Sequence, residues 1–277
     1  MKKTLSIAIL FIVTFTFAQR KEKVKGSKIV KMEQKQIESF TSLEVEDNLE
    51  VFLVKGNECG LELEADDNLL EFIEFKSAGN NLRISTTRDM NSFKKLSVRV
   101  TYTSDFNLVI TKNETNVTAL SDVDLNTITF KSYDYSKLYL NVKSKEFTLM
   151  ANDKSKIELN LKSEKATIDI SKSADLKALI SSKDLGVDMY QKGNAKIEGD
   201  VINFKLRADN NTYFDGSKLT ATYAQLFVDS YSNAKINVKT NVTIDAAGKS
   251  EIQLFGEPKI EIKRFTDSAT MSKKPIK

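Results

Sequence analysis

Asp134-Tyr135-Ser136-Lys137-Leu138 is followed 19 residues on by Asp153-Lys154-Ser155-Lys156-Ile157. Both pentads read as two turn-type residues, a small residue, a free position and an apolar residue that opens a strand. Six more instances follow: Lys172-Ser173-Ala174-Asp175-Leu176, Gly193-Asn194-Ala195-Lys196-Ile197, Asn210-Asn211-Thr212-Tyr213-Phe214, Ser232-Asn233-Ala234-Lys235-Ile236, Gly248-Lys249-Ser250-Glu251-Ile252 and Asp267-Ser268-Ala269-Thr270-Met271. The apolar anchors lie 19, 19, 21, 17, 22, 16 and 19 residues apart, a mean of 19. A fixed period of this size marks a stacked solenoid. A propeller blade needs about 40 residues, and turn chemistry recurring at one register fits parallel stacking at about 4.8 Å per coil. The expected fold is all-β: a single-stranded right-handed parallel β-helix with rungs of about 19 residues, preceded by an N-terminal section of longer strands.

The composition agrees. Two prolines, ten glycines and no tryptophan, with abundant Thr, Val, Ile, Ser, Asn and Lys, suit strands joined by polar turns. Upstream of the repeats, apolar residues alternate in Phe40, Leu43, Val45, then Leu49, Val51, Leu53, with further strands expected at 61–63, 69–75, 82–84, 96–100 and 108–110. The division reads as a signal peptide over 1–18, a mobile leader or edge strand over 19–36, the β-helix over 37–273 and a tail over 274–277. Met1 to Ala18 carries two lysines, an apolar run and a small residue before Gln19, the pattern of an exported chain. An exported protein of the periplasm, outer surface or extracellular space is expected, with no transmembrane segment after the leader.

Without the leader, 40 basic residues face 38 acidic ones. A balance near zero with no basic cluster argues against nucleic acid. Cys59 stands alone, so no intramolecular disulfide forms, and it reads as a small apolar filler. The absence of histidine removes Ser-His-Asp and Cys-His nucleophilic sites and histidine metal sites together. Ser-x-x-Lys pairs at Ser92/Lys95 and Ser232/Lys235 read as chance and turn chemistry. The densest acidic spots, Asp66-Asp67-Asn68 and Glu44, Glu46, Asp47, match no calcium loop. No catalytic residue, metal site or cofactor is expected.

The phrases Phe40-Thr41-Ser42-Leu43-Glu44-Val45, Leu61-Glu62-Leu63-Glu64-Ala65-Asp66-Asp67-Asn68, Gly79-Asn80-Asn81-Leu82-Arg83-Ile84 and Ile252-Gln253-Leu254-Phe255-Gly256-Glu257-Pro258 resemble the GIN domain, the head of autotransporter-type adhesins. The resemblance runs from about Ile37 to Lys273 and departs from the family where Lys, Asp, Tyr or Asn replaces glycine in the turns. It implies a β-helix at the cell envelope and brings no functional residues with it.

Lys137, Lys156, Lys196 and Lys235 share the position before the anchor, an outer stripe interrupted by Asp175, Tyr213 and Glu251. They could meet an acidic glycan, or simply solubilise an exposed sheet. Tyr133, Tyr135, Tyr139, Tyr190, Tyr213, Tyr223 and Tyr231 could offer platforms for sugar rings, or simply form aromatic ladders that stabilise a β-helix. The candidate surface contacts are therefore Lys137, Lys156, Lys196, Lys235, Tyr213 and Tyr231. The expected function is an adhesin or interaction module binding a surface glycan or envelope protein. A carbohydrate-active β-helix enzyme is the alternative reading, with an envelope-stress accessory role behind it.

Overall fold

The computed structural model describes residues 21–275, so the expected leader at 1–18 lies outside the described residues. They form a β-solenoid of about nine turns with rungs of about 19 residues. Six strands of 14 to 16 residues make the regular stack: Lys137–Ala151, Lys156–Ile170, Asp175–Met189, Asn194–Ala208, Tyr213–Val228 and Asn233–Ala246. Each pairs in parallel with the next.

One coil shows why. In Lys156–Ile170 the side chains of Ile157, Leu159 and Leu161 are buried, while Lys156, Glu158, Asn160 and Lys162 are exposed. At Glu164 and Lys165 two consecutive exposed residues break the alternation, the chain bends, and Ala166, Ile168 and Ile170 continue the core on a second face. Period-two patterning therefore decides which side of each face is core. Each fully buried Ile or Leu contributes roughly 1.5–3 kcal/mol, and equivalent residues stack coil upon coil.

Between coils the chain turns through two consecutive residues with positive φ: Asp134 (51°) and Tyr135 (63°), Asp153 (49°) and Lys154 (63°), Lys172 (49°) and Ser173 (64°), and Gln191 (49°) and Lys192 (66°). A tight hydrogen bond closes each one, as where the Ser155 N–H donates to the Asn152 carbonyl at 3.0 Å. Left-handed backbone costs a non-glycine residue about 1–2 kcal/mol. The turns recover part of that by stacking: the Tyr135 N–H donates to the Asp153 carbonyl at 3.0 Å, Lys154 to Lys172 at 3.1 Å, and Ser173 to Gln191 at 3.0 Å. The turn column is a hydrogen-bonded ladder of its own.

The observed register corrects two of the eight repeats. Leu176 pairs with Ala195, which pairs with Phe214, which pairs with Ala234, which pairs with Ile252. The turn pairs of those two coils are therefore Gln191-Lys192 and Ser230-Tyr231, and the anchors are Ala195 and Ala234, two residues before Ile197 and Ile236. The alternation of large and small explains the change. Phe214 is fully buried, and a Cβ added to Gly216 would meet its Cε1 at 2.6 Å. The ring occupies space that Ala195, Gly216 and Ala234 leave free, so the column keeps its volume while its sizes vary.

The expected order of strand lengths is reversed. Upstream of Ala119 the strands run only three to seven residues, Ser42–Val45 and Glu50–Lys55 among them. These two stack between Leu108–Thr111 and Asn116–Ala119 on one side and Asn81–Thr86 and Leu96–Tyr102 on the other. Gly60–Asp66 pairs antiparallel with Leu96–Tyr102, and Val30–Gln36 pairs antiparallel with Gly60–Asp66. Antiparallel pairing thus extends the sheet at the N-terminal end of the stack.

Candidate functional site

The core is filled by side chains, so whatever the chain binds must meet its outer faces. On the first face of each coil, two outward columns lie side by side. One runs Tyr139, Glu158, Lys177, Lys196; the other runs Asn141, Asn160, Leu179, Glu198. Between them lies an open groove of about 650 Å³, with Ala119 at one end. It crosses four coils, roughly 14 Å along the axis. Tyr139 is 42% exposed and Leu179 is 54% exposed. The burial pattern of the coil accounts for neither exposure, because the core positions on either side of each are already apolar.

The next coil continues this face. A bulge follows Lys196, where the register shifts before Gly199. Gly199 has φ of 118°, and a Cβ there would stand 2.1 Å from the Ile180 carbonyl oxygen, so only glycine fits. Asp215 accepts from the Ser217 hydroxyl at 2.7 Å and the Ser217 N–H at 3.1 Å. Burial would raise the Asp215 carboxyl, but those bonds and Lys235 outweigh it and hold the carboxyl below its ordinary value.

The six residues expected on the surface fall into three places. Lys137 and Lys156 pair in register and are exposed. Lys196 and Lys235 do not share their column: both flank Asp215 in the neighbouring one. The single lysine stripe is thus two columns, a direct consequence of the corrected register. Lys235 lies 5.3 Å from the centre of the Tyr213 ring and 3.9 Å from the Asp215 carboxylate, and the Tyr213 hydroxyl is the main cause of its raised pKa. Lys196 pairs with Glu198 at 3.4 Å, and Lys218 reaches the same carboxylate at 3.6 Å. Tyr231 sits on the turn edge, 56% exposed, with the Lys249 ammonium 5.2 Å from its ring centre. The structure therefore brings Lys196, Lys235 and Tyr213 together beside the groove. Tyr139 and Leu179, which line it, were invisible as a pair because they lie in different columns 40 residues apart.

The description "Putative auto-transporter adhesin, head GIN domain" matches residues 39–160 and 156–258. The chain belongs to the GIN-domain family. Three crystal structures share its fold. A "putative adhesin" from Parabacteroides merdae ATCC 43184 superposes with a TM-score of 0.65 at 15% identity, covering 91% of this chain and 99% of that one. A "Putative lipid binding protein" from Parabacteroides distasonis ATCC 8503 gives 0.64 at 13% identity, over 91% and 99%. A "putative adhesin" from the same strain gives 0.58 at 16% identity, over 90% and 99%. No curated protein sequence matches the chain.

In this GIN domain the acidic spots are structural. The Asp66 side chain is fully buried and accepts N–H bonds from Lys28 (2.8 Å), Lys94 (3.0 Å) and Lys95 (3.0 Å), tying three segments together. Burial pushes its carboxyl up; the three backbone donors outweigh that and leave it lowered. Glu46 is likewise lowered, its burial outweighed by Arg83 at 2.9 Å and Lys112 at 3.2 Å. Asp47 accepts from the Thr86 N–H at 2.9 Å and pairs with Lys21. Among the described residues no group of three or more Cys, Asp or Glu converges as a metal site, and no helix is long and apolar enough to cross a membrane. Ser232 of the second Ser-x-x-Lys pair is buried in a turn, its hydroxyl accepting the Thr212 N–H at 3.2 Å. Lys95 of the first pairs with Glu50 at 3.0 Å. Cys59 is half-buried against the core.

Proposed function

We propose that the chain is an exported binding module of the cell envelope, which holds a surface glycan or an envelope protein against the first outer face of its β-helix. The observation that carries this reading is the groove walled by Tyr139 and Leu179. An exposed aromatic on one coil and an exposed aliphatic two coils on stand in neighbouring columns of a groove that crosses four rigid coils, with Glu158, Lys177, Lys196 and Glu198 beside them. Exposed apolar side chains interspersed with charged and amide groups can recognise a ligand that presents both kinds of surface, and repeated weak contacts along a rigid stack sum to avidity. Membership of a family described as adhesin heads supports the envelope setting. The test is to probe a glycan array and envelope extracts with the protein purified after expression with its own leader. Retention of a glycan or an envelope protein supports the reading; retention of neither overturns it.

The enzymatic alternative has one point in its favour, the approach of Asp215 and Lys235 to 3.9 Å on this face. A general acid needs a raised carboxyl, whereas Asp215 is lowered and already committed to Ser217. Release of reducing ends from polysaccharides is the measurement that would restore the alternative.

A further inference from the structure

Lysines line the corner where each coil bends from its first face to its second. Two troughs, of about 500 and 360 Å³, meet there at Lys162 and Ser163 and run on along the axis. Their walls hold six lysines, Lys55, Lys143, Lys145, Lys162, Lys183 and Lys239, against three acids, Asp124, Glu164 and Asp200. The corner is thus +3, while the whole chain beyond the expected leader is only +2. The rest of the chain beyond the expected leader holds 34 basic and 35 acidic residues, so it is balanced and the small positive excess lies at this corner.

Most of these lysines are free to take a ligand. Among the described residues, ion pairing at the corner is confined to Lys143 and Asp124 at 3.8 Å. Lys55 donates to the Asp124 carbonyl at 2.7 Å. Lys145, Lys162, Lys183 and Lys239 are exposed, with no carboxylate within ion-pairing distance among the described residues. Lys143 and Lys162 are register partners in adjacent coils, about 4.8 Å apart along the stack. Lys145 and Lys183 hold the same corner position two coils apart, about 9.6 Å, with Glu164 at that position on the coil between them. Hydroxyls fill the gaps, from Ser163, Ser181, Thr220 and Thr222, and Ile202 lies 47% exposed on the trough wall.

We propose that this corner binds a linear acidic polysaccharide, its carboxylates met by Lys145, Lys162 and Lys183 and its hydroxyls by the serines and threonines between them. The inference rests on the reading of the chain as an envelope binding module and names a second site and its ligand class. An extended anionic polymer fits lysines spread along several coils, where a single small anion would need a pocket. Ile202 offers an apolar seat for the C–H face of a sugar ring. Nucleic acid fits less well: single strands are held by stacking bases on aromatic rings, and none of the residues lining the trough is aromatic.

The experiment measures binding of the full chain to polygalacturonate, to neutral dextran and to single-stranded DNA, by calorimetry in rising salt. The expected result is polygalacturonate binding that weakens with salt, no dextran binding, and DNA at least 10-fold weaker. The triple variant Lys145→Glu/Lys162→Glu/Lys183→Glu should lose at least 10-fold for polygalacturonate with an unchanged melting temperature. Lys145→Gln/Lys162→Gln/Lys183→Gln, which adds no repulsion, should lose most of the same affinity, whereas Lys205→Gln/Lys259→Gln/Lys263→Gln, which removes the same charge from exposed positions elsewhere, should lose little. Failure to bind polygalacturonate at low salt, equal binding of DNA, or binding that survives both corner variants overturns the inference. If the chain holds a neutral glycan or a protein through the Tyr139–Leu179 groove while ignoring polygalacturonate, the corner proposal fails and the binding-module reading stands.

Discussion

Ala195 pairs in register with Phe214 of the adjacent coil, and Phe214 in turn pairs with Ala234, so the largest ring of this column stands between its two smallest side chains. Ala195→Leu or Ala234→Leu adds volume where the ring already fills the space. Each should cost about 1–3 kcal/mol in urea unfolding. Ala195→Leu/Phe214→Ala should recover part of the loss, because the displaced volume has somewhere to go; strictly additive losses would contradict the stacking.

Replacement of the buried Ile157 or Ile236 by Asp places an unpaired carboxylate in the core and should cost on the order of 3 kcal/mol or more. Glu158, the outward neighbour of Ile157, is exposed, and Glu158→Ala should move stability by less than about 0.5 kcal/mol. Equal tolerance at Ile157 and Glu158 would contradict the assignment of faces.

The turns make a prediction of opposite sign. Lys172 and Ser173 hold φ of 49° and 64°, a conformation that Asn-Gly adopts with least strain. Lys172→Asn/Ser173→Gly should therefore raise stability by about 1 kcal/mol, read as a higher urea midpoint. The backbone ladder is common to both chains, so an unchanged or lower midpoint would contradict the reading of these two positions as strained.

Asp66 links stability to pH. Its folded carboxyl lies below the ordinary value of 3.8 because three backbone donors prefer the charged form. A lowered folded pKa contributes stability that is present above the unfolded pKa and is lost as pH falls through the folded one. Wild type should accordingly lose stability below about pH 3.8 partly through this group. Asp66→Ala, which strands the N–H groups of Lys28, Lys94 and Lys95, should cost roughly 3 kcal/mol at pH 7, with the deficit narrowing in acid. A deficit that does not change between pH 7 and pH 3 would rule out the linkage.

Much of the fold was legible because turn chemistry and period-two burial are local. Asp153-Lys154-Ser155 and its neighbours announce both the bend and the period, and Ile157, Leu159 and Leu161 announce the inward side. The register at Ala195 and Ala234 was not legible, since one sequence shows how large a side chain is and not what lies above and below it. Ile197 and Ile236 look like better anchors until Phe214 is seen to need the room. The N-terminal pairing of Val30–Gln36 with Gly60–Asp66 was equally hidden, because no local signal specifies a long-range antiparallel partner. The sites followed the same rule. Tyr213, Lys196 and Lys235 were legible as outward residues near a turn, whereas the corner lysines become a line only once the bend is known. Their trace in the sequence is the spacing itself: Lys143 and Lys162 are one period apart, and Lys145 and Lys183 are two.

The measurement that bears most directly on the binding-module reading is a glycan array and an envelope pull-down, probed in parallel with wild type and with Tyr139→Ser/Leu179→Ser. Both side chains are exposed, so the variant should melt with wild type. Wild type should retain at least one neutral glycan or envelope protein, and the variant should lose it by 10-fold or more. Undiminished retention of every such ligand by a folded variant, or retention of none by wild type, would contradict the reading.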